Sequence, residues 1–143
     1  MTSNEALALL PQTKGCVVIL SGGMDSTITM RLAVEKYGKE NVSALTFDYG
    51  QKQKREIDMA RITTNMLGVK HKIVDAGFLG DISKGFSANV DTDMEMPTIK
   101  DVLGDPRPKT YVPNRNMILM SIAAAFAETQ NVDTVLCLSL IHI

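Results

Sequence analysis

The feature that most constrains the fold is a hexapeptide, Ser-Gly-Gly-Met-Asp-Ser at 21–26, between an apolar run and an amphipathic segment. The apolar run, residues 16–20, is rich in β-branched side chains, which predicts a strand buried on both faces. Apolar residues at helical spacing over 25–37 predict a helix that ends at Gly38. A glycine-rich turn from a strand into a helix arranges backbone N–H groups at the positive end of the helix dipole. The hexapeptide and the residue before it therefore predict a phosphate-binding site, formed by Leu20, Ser21, Gly22, Gly23, Met24, Asp25 and Ser26.

Predicted strands and helices alternate along the chain. The strands are predicted over 16–20, 42–47, 70–75 and 133–137. The helices are predicted over 25–37, 52–67 and 114–130. This order predicts an α/β fold, a doubly wound parallel sheet of Rossmann-like type with right-handed crossovers. In such sheets ligands bind beyond the carboxyl ends of the strands, where the hexapeptide lies.

Each predicted helix carries an apolar stripe that would pack on the sheet. The stripes consist of Ile28, Leu32 and Ala33 in the first helix, Ile57, Ala60, Thr64 and Leu67 in the second, and Ile118, Ile122, Ala125 and Phe126 in the third. His71 alternates with lysines in the third strand and is interpreted as a structural residue.

The remaining segments lack this periodicity. Residues 1–14 are interpreted as a frayed N-terminal extension, and residues 15–137 as the nucleotide-binding domain. Residues 76–113 are rich in glycine and proline. So long an irregular connection predicts a lid, a substrate loop or an inserted piece.

Composition narrows the class of protein. The 143 residues suffice for one domain with a buried core, and 45% apolar with 22% charged residues is ordinary for a globular chain. A net charge of −1 gives no reason to expect a nucleic-acid or membrane partner. Cys16 and Cys137 lie in predicted buried strands, which predicts reduced core thiols in a cytoplasmic protein. The two cysteines and two histidines are too dispersed for a metal cluster.

Two further segments reach the same edge of the predicted sheet. Asp48 follows the second predicted strand and precedes Tyr49 and Gln51. An acidic residue at this position is either a turn residue or an acceptor of hydrogen bonds from ribose hydroxyls. Arg115, between Asn114 and Asn116, places a cation at a helix N-terminus, against the dipole. Such a charge is favourable when an anion lies nearby.

Two common nucleotide-binding designs are excluded. The chain has no Gly-Lys-Ser/Thr of a Walker loop and no G-x-G-x-x-G of a dinucleotide fold. The hexapeptide instead resembles the PP-loop of ATP pyrophosphatases, enzymes that adenylate a substrate and release pyrophosphate.

Three segments together, residues 18–27, 47–51 and 111–116, closely resemble the QueC family of 7-cyano-7-deazaguanine synthases. Many members carry glycine where this chain has Asn114, which also tolerates turn geometry. The resemblance implies an ATP-dependent ligase that converts 7-carboxy-7-deazaguanine and ammonia to a nitrile, in the biosynthesis of queuosine and related 7-deazapurines.

The resemblance also implies roles for individual residues. Asp25 and Arg115 would be catalytic, with Arg115 stabilising the growing negative charge. Mg²⁺ would help to neutralise the phosphates. Asp48, Tyr49 and Gln51 would line the nucleoside or deazaguanine side, and Asn114 and Asn116 would flank Arg115 in the nucleotide site.

The family is longer than this chain and binds Zn²⁺ through cysteines near its C-terminus. We therefore expect zinc, and possible homodimers, only in a full-length protein. Residues 138–143 resemble the translation of a sequencing adapter, and we expect the native sequence to end near Cys137. The chain alone would then be inactive.

Two other functions remain open. One is another PP-loop enzyme, either tRNA-modifying or amide-forming, which would predict a catalytic cysteine or a basic face. The other is a module that binds adenine nucleotides without turning them over.

Overall fold

The computed structural model describes residues 2–48, 54–82 and 115–137. The helices are α1 (Ser3–Leu9), α2 (Met24–Tyr37), α3 (Arg55–Leu67), α4 (Phe78–Ile82) and α5 (Arg115–Thr129), with a 3₁₀ turn at Lys39–Asn41. The strands are β1 (Cys16–Ile19), β2 (Val42–Asp48), β3 (Lys70–Asp75) and β4 (Val135–Leu136).

The four strands form one parallel sheet in the order β3-β2-β1-β4. Cys16 pairs with Val42, and Ser43 pairs with Lys70, so the central strands share a register. The chain moves outward from β1 to β3 on one side and returns to place β4 on the other side of β1. This order confirms the predicted doubly wound α/β fold.

Two apolar clusters lie on opposite faces of the sheet. Alternate residues of β1 point to opposite faces, so Cys16 and Val18 enter one cluster and Val17 enters the other. The first cluster includes Met30 of α2 and Ala60 of α3. The second consists of Val17, Leu45, Phe47, Ala76, Leu79, Leu119, Ala123 and Ala127, from strands β1 and β2, the start of α4 and helix α5.

The predicted apolar stripes are only partly correct. In α3 the stripe is confirmed, with Ile57, Ala60 and Thr64 buried. In α2 the prediction is wrong for Ile28, which is 49% exposed. Several apolar residues of α2 offer overlapping stripes, and the packing selects the one formed by Ser26, Met30, Ala33 and Tyr37.

The prediction is also wrong for Ala125 in α5, which is exposed. The buried line of this helix is Leu119, Ala123 and Ala127, with Ile118, Ile122 and Phe126 half-buried beside it. The segment is apolar around most of its circumference, so its sequence gives little indication of which side faces the sheet.

The N-terminal segment is not frayed, contrary to the prediction. The Thr2 hydroxyl accepts from the Glu5 amide and the Glu5 carboxylate accepts from the Thr2 amide, a capping box that begins α1. Lys36 Nζ donates to the Leu7 carbonyl oxygen at 2.8 Å, and the Tyr37 hydroxyl donates to that of Pro11 at 2.6 Å. These long-range bonds attach the segment to α2.

The fourth strand is shorter than predicted, and Cys137 is exposed, although the sequence predicts that it is buried. Cys137 follows β4 and is exposed, because the two-residue pairing with β1 ends at Leu136. Cys16 is buried as predicted, and burial raises the pKa of its thiol to about 12. The Cys16 thiol is therefore protonated and unreactive at neutral pH.

The buried face of α2 can be tested with two variants. Met30→Ala removes a fully buried side chain and should lower the free energy of unfolding by about 2–5 kcal/mol. Ile28→Ala on the same helix should cost less than about 1 kcal/mol, because half of that side chain already contacts water. Urea unfolding of the complete protein measures both. Equal losses would contradict this assignment of the face.

Candidate functional site

The loop after β1 leaves the sheet at a fixed point, Leu20. Its side chain is fully buried, its amide donates to the Leu45 carbonyl oxygen at 2.9 Å, and its carbonyl oxygen accepts from Thr46 Oγ1 at 2.7 Å. The buried side chain and the two backbone hydrogen bonds of Leu20 therefore fix the point where the loop begins.

Gly22 allows the loop to pass directly over helix α3. Its φ is +86°, in the left-handed region that favours glycine. A Cβ atom at this position would overlap the backbone carbonyl of Glu56. Both the turn and the close approach of two backbones require glycine here.

The Ser26 hydroxyl holds the loop together from beneath. The side chain is buried; its oxygen accepts from the Ser21 amide at 3.2 Å and donates to the Gly23 carbonyl oxygen at 3.2 Å. Ser21 Oγ lies 3.1 Å from Ser26 Oγ and accepts from the Gly23 amide at 3.3 Å. The two serines thus fix the curvature of the loop.

Helix α2 begins at Met24, at the outer surface of this loop. The preceding residue, Gly23, provides no side-chain cap. The first-turn amides, Met24 to Ser26, have no partner within a helix of this geometry. Met24 is 79% exposed and Asp25 is also exposed, so the amides lie at an accessible surface with the positive end of the helix dipole. This arrangement can bind an anion.

Asp48, in the second segment predicted for the site, lies at the same carboxyl edge of the sheet as the loop. Asp48 ends β2, pairs in register with Asp75 at the end of β3, and accepts a hydrogen bond at its backbone oxygen from the Ala76 amide at 2.7 Å. Because β1 and β2 are parallel neighbours, Asp48 and the loop after β1 lie at the same carboxyl edge.

Helix α5 begins at Arg115 and leads into β4, the other neighbour of β1. In a right-handed crossover this helix starts at the carboxyl edge of the sheet. The loop thus lies at the topological switch point, between β1 and β4, where doubly wound folds bind ligands. Asn116 is half-buried in the first turn of α5. The side chain of Arg115, and residues Tyr49, Gln51 and Asn114, lie outside the described part of the chain.

Sequence reasoning missed the polar residues beneath the loop. Thr46 Oγ1 lies 2.7 Å from His71 Nε2, and His71 Nδ1 lies 3.1 Å from Thr64 Oγ1. Burial lowers the pKa of His71, and the Arg61 guanidinium lowers it further. Partial burial and contacts with two threonines agree with the structural interpretation of His71. A threonine within the apolar run 42–47 was the signal that could have located its partner.

Among residues 2–48, 54–82 and 115–137, no group of three or more His, Cys, Asp or Glu side chains is placed to hold a metal ion. Within those same ranges, no helix combines the length and apolar character that crossing a membrane requires.

The sheet order and the position of the loop at its switch point define a Rossmann-like α/β fold. The fold resembles that of an NH₃-dependent NAD synthetase from Campylobacter jejuni, with a TM-score of 0.56 and 24% identity over 90% of this chain and 48% of that one. It also resembles an NMN synthetase from Francisella tularensis, with a TM-score of 0.54 and 17% identity over 96% of this chain and 60% of that one.

Residues 15–139 match the family described as "Queuosine biosynthesis protein QueC", and the chain belongs to this family. A relative from Alteromonas mediterranea, named 7-cyano-7-deazaguanine synthase, is 40% identical over 86% of this chain and 54% of its own length. The synthase of Phocaeicola vulgatus is 37% identical over 82% of this chain and 50% of its own length. The chain thus spans about half the length of the curated relatives it matches.

Substitutions at the two loop glycines should differ in how much they destabilise the protein. Gly22→Ala should lower the free energy of unfolding by about 1–3 kcal/mol or more, because the residue is left-handed and its Cβ would overlap Glu56. Gly23→Ala should cost under about 1 kcal/mol, because its Cβ would meet Ser21 Oγ at 3.4 Å, an ordinary van der Waals distance. Thermal unfolding of both variants makes the comparison. A Gly22→Ala protein as stable as wild type would refute the described loop conformation.

Proposed function

We propose that this chain is the nucleotide-binding part of an ATP-dependent ligase that converts 7-carboxy-7-deazaguanine and ammonia to 7-cyano-7-deazaguanine. The observation that carries the proposal is the family match over residues 15–139, a range that includes the whole anion-binding loop. The relatives named 7-cyano-7-deazaguanine synthase support the reaction.

The loop would bind the polyphosphate of ATP. The Met24 to Ser26 amides and the dipole of α2 suit phosphate oxygens, and Gly23 leaves room for them because it has no side chain. Ser21 and Ser26 fix the loop, so little ordering is needed when the nucleotide binds.

Bound ATP supplies a leaving group. Transfer of AMP to the substrate carboxylate releases pyrophosphate, and ammonia then displaces AMP to give the amide. A second activation, of the amide oxygen, allows loss of that oxygen with AMP and gives the nitrile. The protein would orient the carboxylate and stabilise charge as pyrophosphate departs.

Asp25 gives a reason to include Mg²⁺. Its carboxylate lies in the first turn of α2, exposed at the mouth of the anion site. A bare carboxylate there would repel phosphate. Asp25 would therefore be a ligand for Mg²⁺, which would neutralise part of the phosphate charge.

The remaining predicted residues would complete the site. Arg115, at the start of α5 between Asn114 and Asn116, would stabilise charge on the departing pyrophosphate. Asp48, Tyr49 and Gln51 would contact the nucleoside or the deazaguanine ring. Zn²⁺, a dimeric assembly and a cytoplasmic location belong to the proposal for the complete protein.

The substrate can be tested by pyrophosphate release from the complete protein. Release should require ATP, Mg²⁺, 7-carboxy-7-deazaguanine and ammonia together. Equal turnover with an unrelated carboxylate would refute the substrate and favour another amide-forming PP-loop enzyme. ATP binding without turnover under any of these conditions would favour a non-catalytic nucleotide-binding module.

The roles of two charged residues can be tested in the same assay. Asp25→Ala and Arg115→Ala should each reduce the rate by about 10²-fold or more, the scale of a lost transition-state charge contact. Glu35→Ala and Arg31→Ala are the matched controls, since both residues are exposed in the C-terminal half of α2, away from the loop. Wild-type rates in either test variant would remove that residue from the site.

A further inference from the structure

A chain of hydrogen-bonding side chains connects the loop to the third strand. Thr46 Oγ1 lies 2.7 Å from the Leu20 carbonyl oxygen and 2.7 Å from His71 Nε2. The other ring nitrogen, Nδ1, lies 3.1 Å from Thr64 Oγ1. The chain therefore runs from α3 through β3 and β2 to the residue before the phosphate loop.

The number of hydrogens, together with the shorter contact at Nε2 (2.7 Å against 3.1 Å at Nδ1), favours one direction for these bonds. The Thr46 hydroxyl has one hydrogen, and the Leu20 carbonyl oxygen can only accept, so that hydrogen is directed to Leu20. Thr46 Oγ1 must then accept from His71, whose Nε2 carries a hydrogen. In the neutral ring Nδ1 is then an acceptor. The single Thr64 hydrogen can go to Nδ1 at 3.1 Å or to the carbonyl oxygens of Ala60 and Arg61, both at 3.0 Å, so the longer bond at Nδ1 is the weaker end of the chain.

The Leu20 carbonyl matters because of peptide geometry. The Leu20 C=O and the Ser21 N–H belong to one planar peptide unit, so the direction of one sets the direction of the other. The Ser21 N–H is the first amide of the loop and donates to Ser26 Oγ. A clamp on the Leu20 carbonyl therefore also sets the orientation of the loop's first amide.

We propose that His71 is a positioning residue for ATP binding: it holds the Thr46 hydroxyl toward Leu20 and so presets the phosphate loop. The His71 ring itself contacts no nucleotide in this proposal. Donation from Nε2 occupies the Thr46 oxygen and leaves its hydrogen only one favourable direction. The inference rests on the proposed function to the extent that the loop binds ATP.

Two amide variants of His71 separate this role from simple packing. The glutamine amide of His71→Gln can place its nitrogen near the position of Nε2 and keep the bond to Thr46. The shorter amide of His71→Asn reaches only the position of Nδ1. Calorimetry on the complete protein should give an ATP–Mg²⁺ dissociation constant about tenfold higher for His71→Asn, and within about twofold of wild type for His71→Gln.

A second set of variants tests whether His71 acts through Thr46. Thr46→Val should weaken ATP binding about as much as His71→Asn, and the double variant should be no weaker than Thr46→Val alone, because both break the same path. Thr63→Val is the matched control, because Thr63 is also a buried threonine of α3 but is not the threonine that contacts His71. It should leave ATP affinity within about twofold.

Two results would overturn the inference. Wild-type ATP affinity in His71→Asn, with reduced stability, would show that His71 only supports the fold and would overturn the inference. Fully additive losses in Thr46→Val and His71→Asn would overturn it as well.

Nitrogen NMR of the histidine ring tests the relay without nucleotide. The signal lost in His71→Gln should be that of a neutral ring protonated at Nε2. A ring protonated at Nδ1 would overturn the relay, whatever the protein binds. Absence of ATP binding by the wild type, with the Nε2–H ring present, would instead refute the proposed function and keep the relay as a structural feature.

Discussion

The candidate site depends on one peptide unit, the one between Leu20 and Ser21. Its carbonyl is held by the Thr46 side chain, and its amide hydrogen is held by Ser26. Immediately after it, Gly22 lies against the backbone of α3, where a Cβ atom would overlap Glu56. The loop is therefore fixed by β2 on one side and by α3 beneath, and its outer surface is free to present amides of the first turn of α2.

The parallel sheet gives this loop its location. All four strands point the same way, so every strand-to-helix connection reaches the same edge. The two apolar clusters cover both faces, which leaves that edge as the accessible end of β1. Asp48 and the start of α5 share this edge for the same topological reason, although they are distant from the loop in sequence.

How well the sequence predicted each part depended on whether the signal was local. The strand over 70–75 and the C-terminal end of the helix predicted over 52–67 were predicted as observed, because strand alternation and the glycine that follows this helix are local signals. The hexapeptide was located correctly between its strand and helix. The sides of α2 and α5 that face the sheet were predicted less well, since Ile28 and Ala125 proved exposed. Both helices have more apolar residues than one face can bury, so packing against the sheet made the choice.

The sequence by itself determined the α/β alternation, the position of the glycine-rich loop between strand and helix, and the membership of a family, because each is encoded in short contiguous segments. Only the tertiary structure showed that α1 is attached through Lys36 and Tyr37, and that Thr46 and His71 lie beneath the loop. These contacts join residues about 25 or more positions apart. Hydrogen bonds of that kind depend on strand order and register, which no single segment specifies.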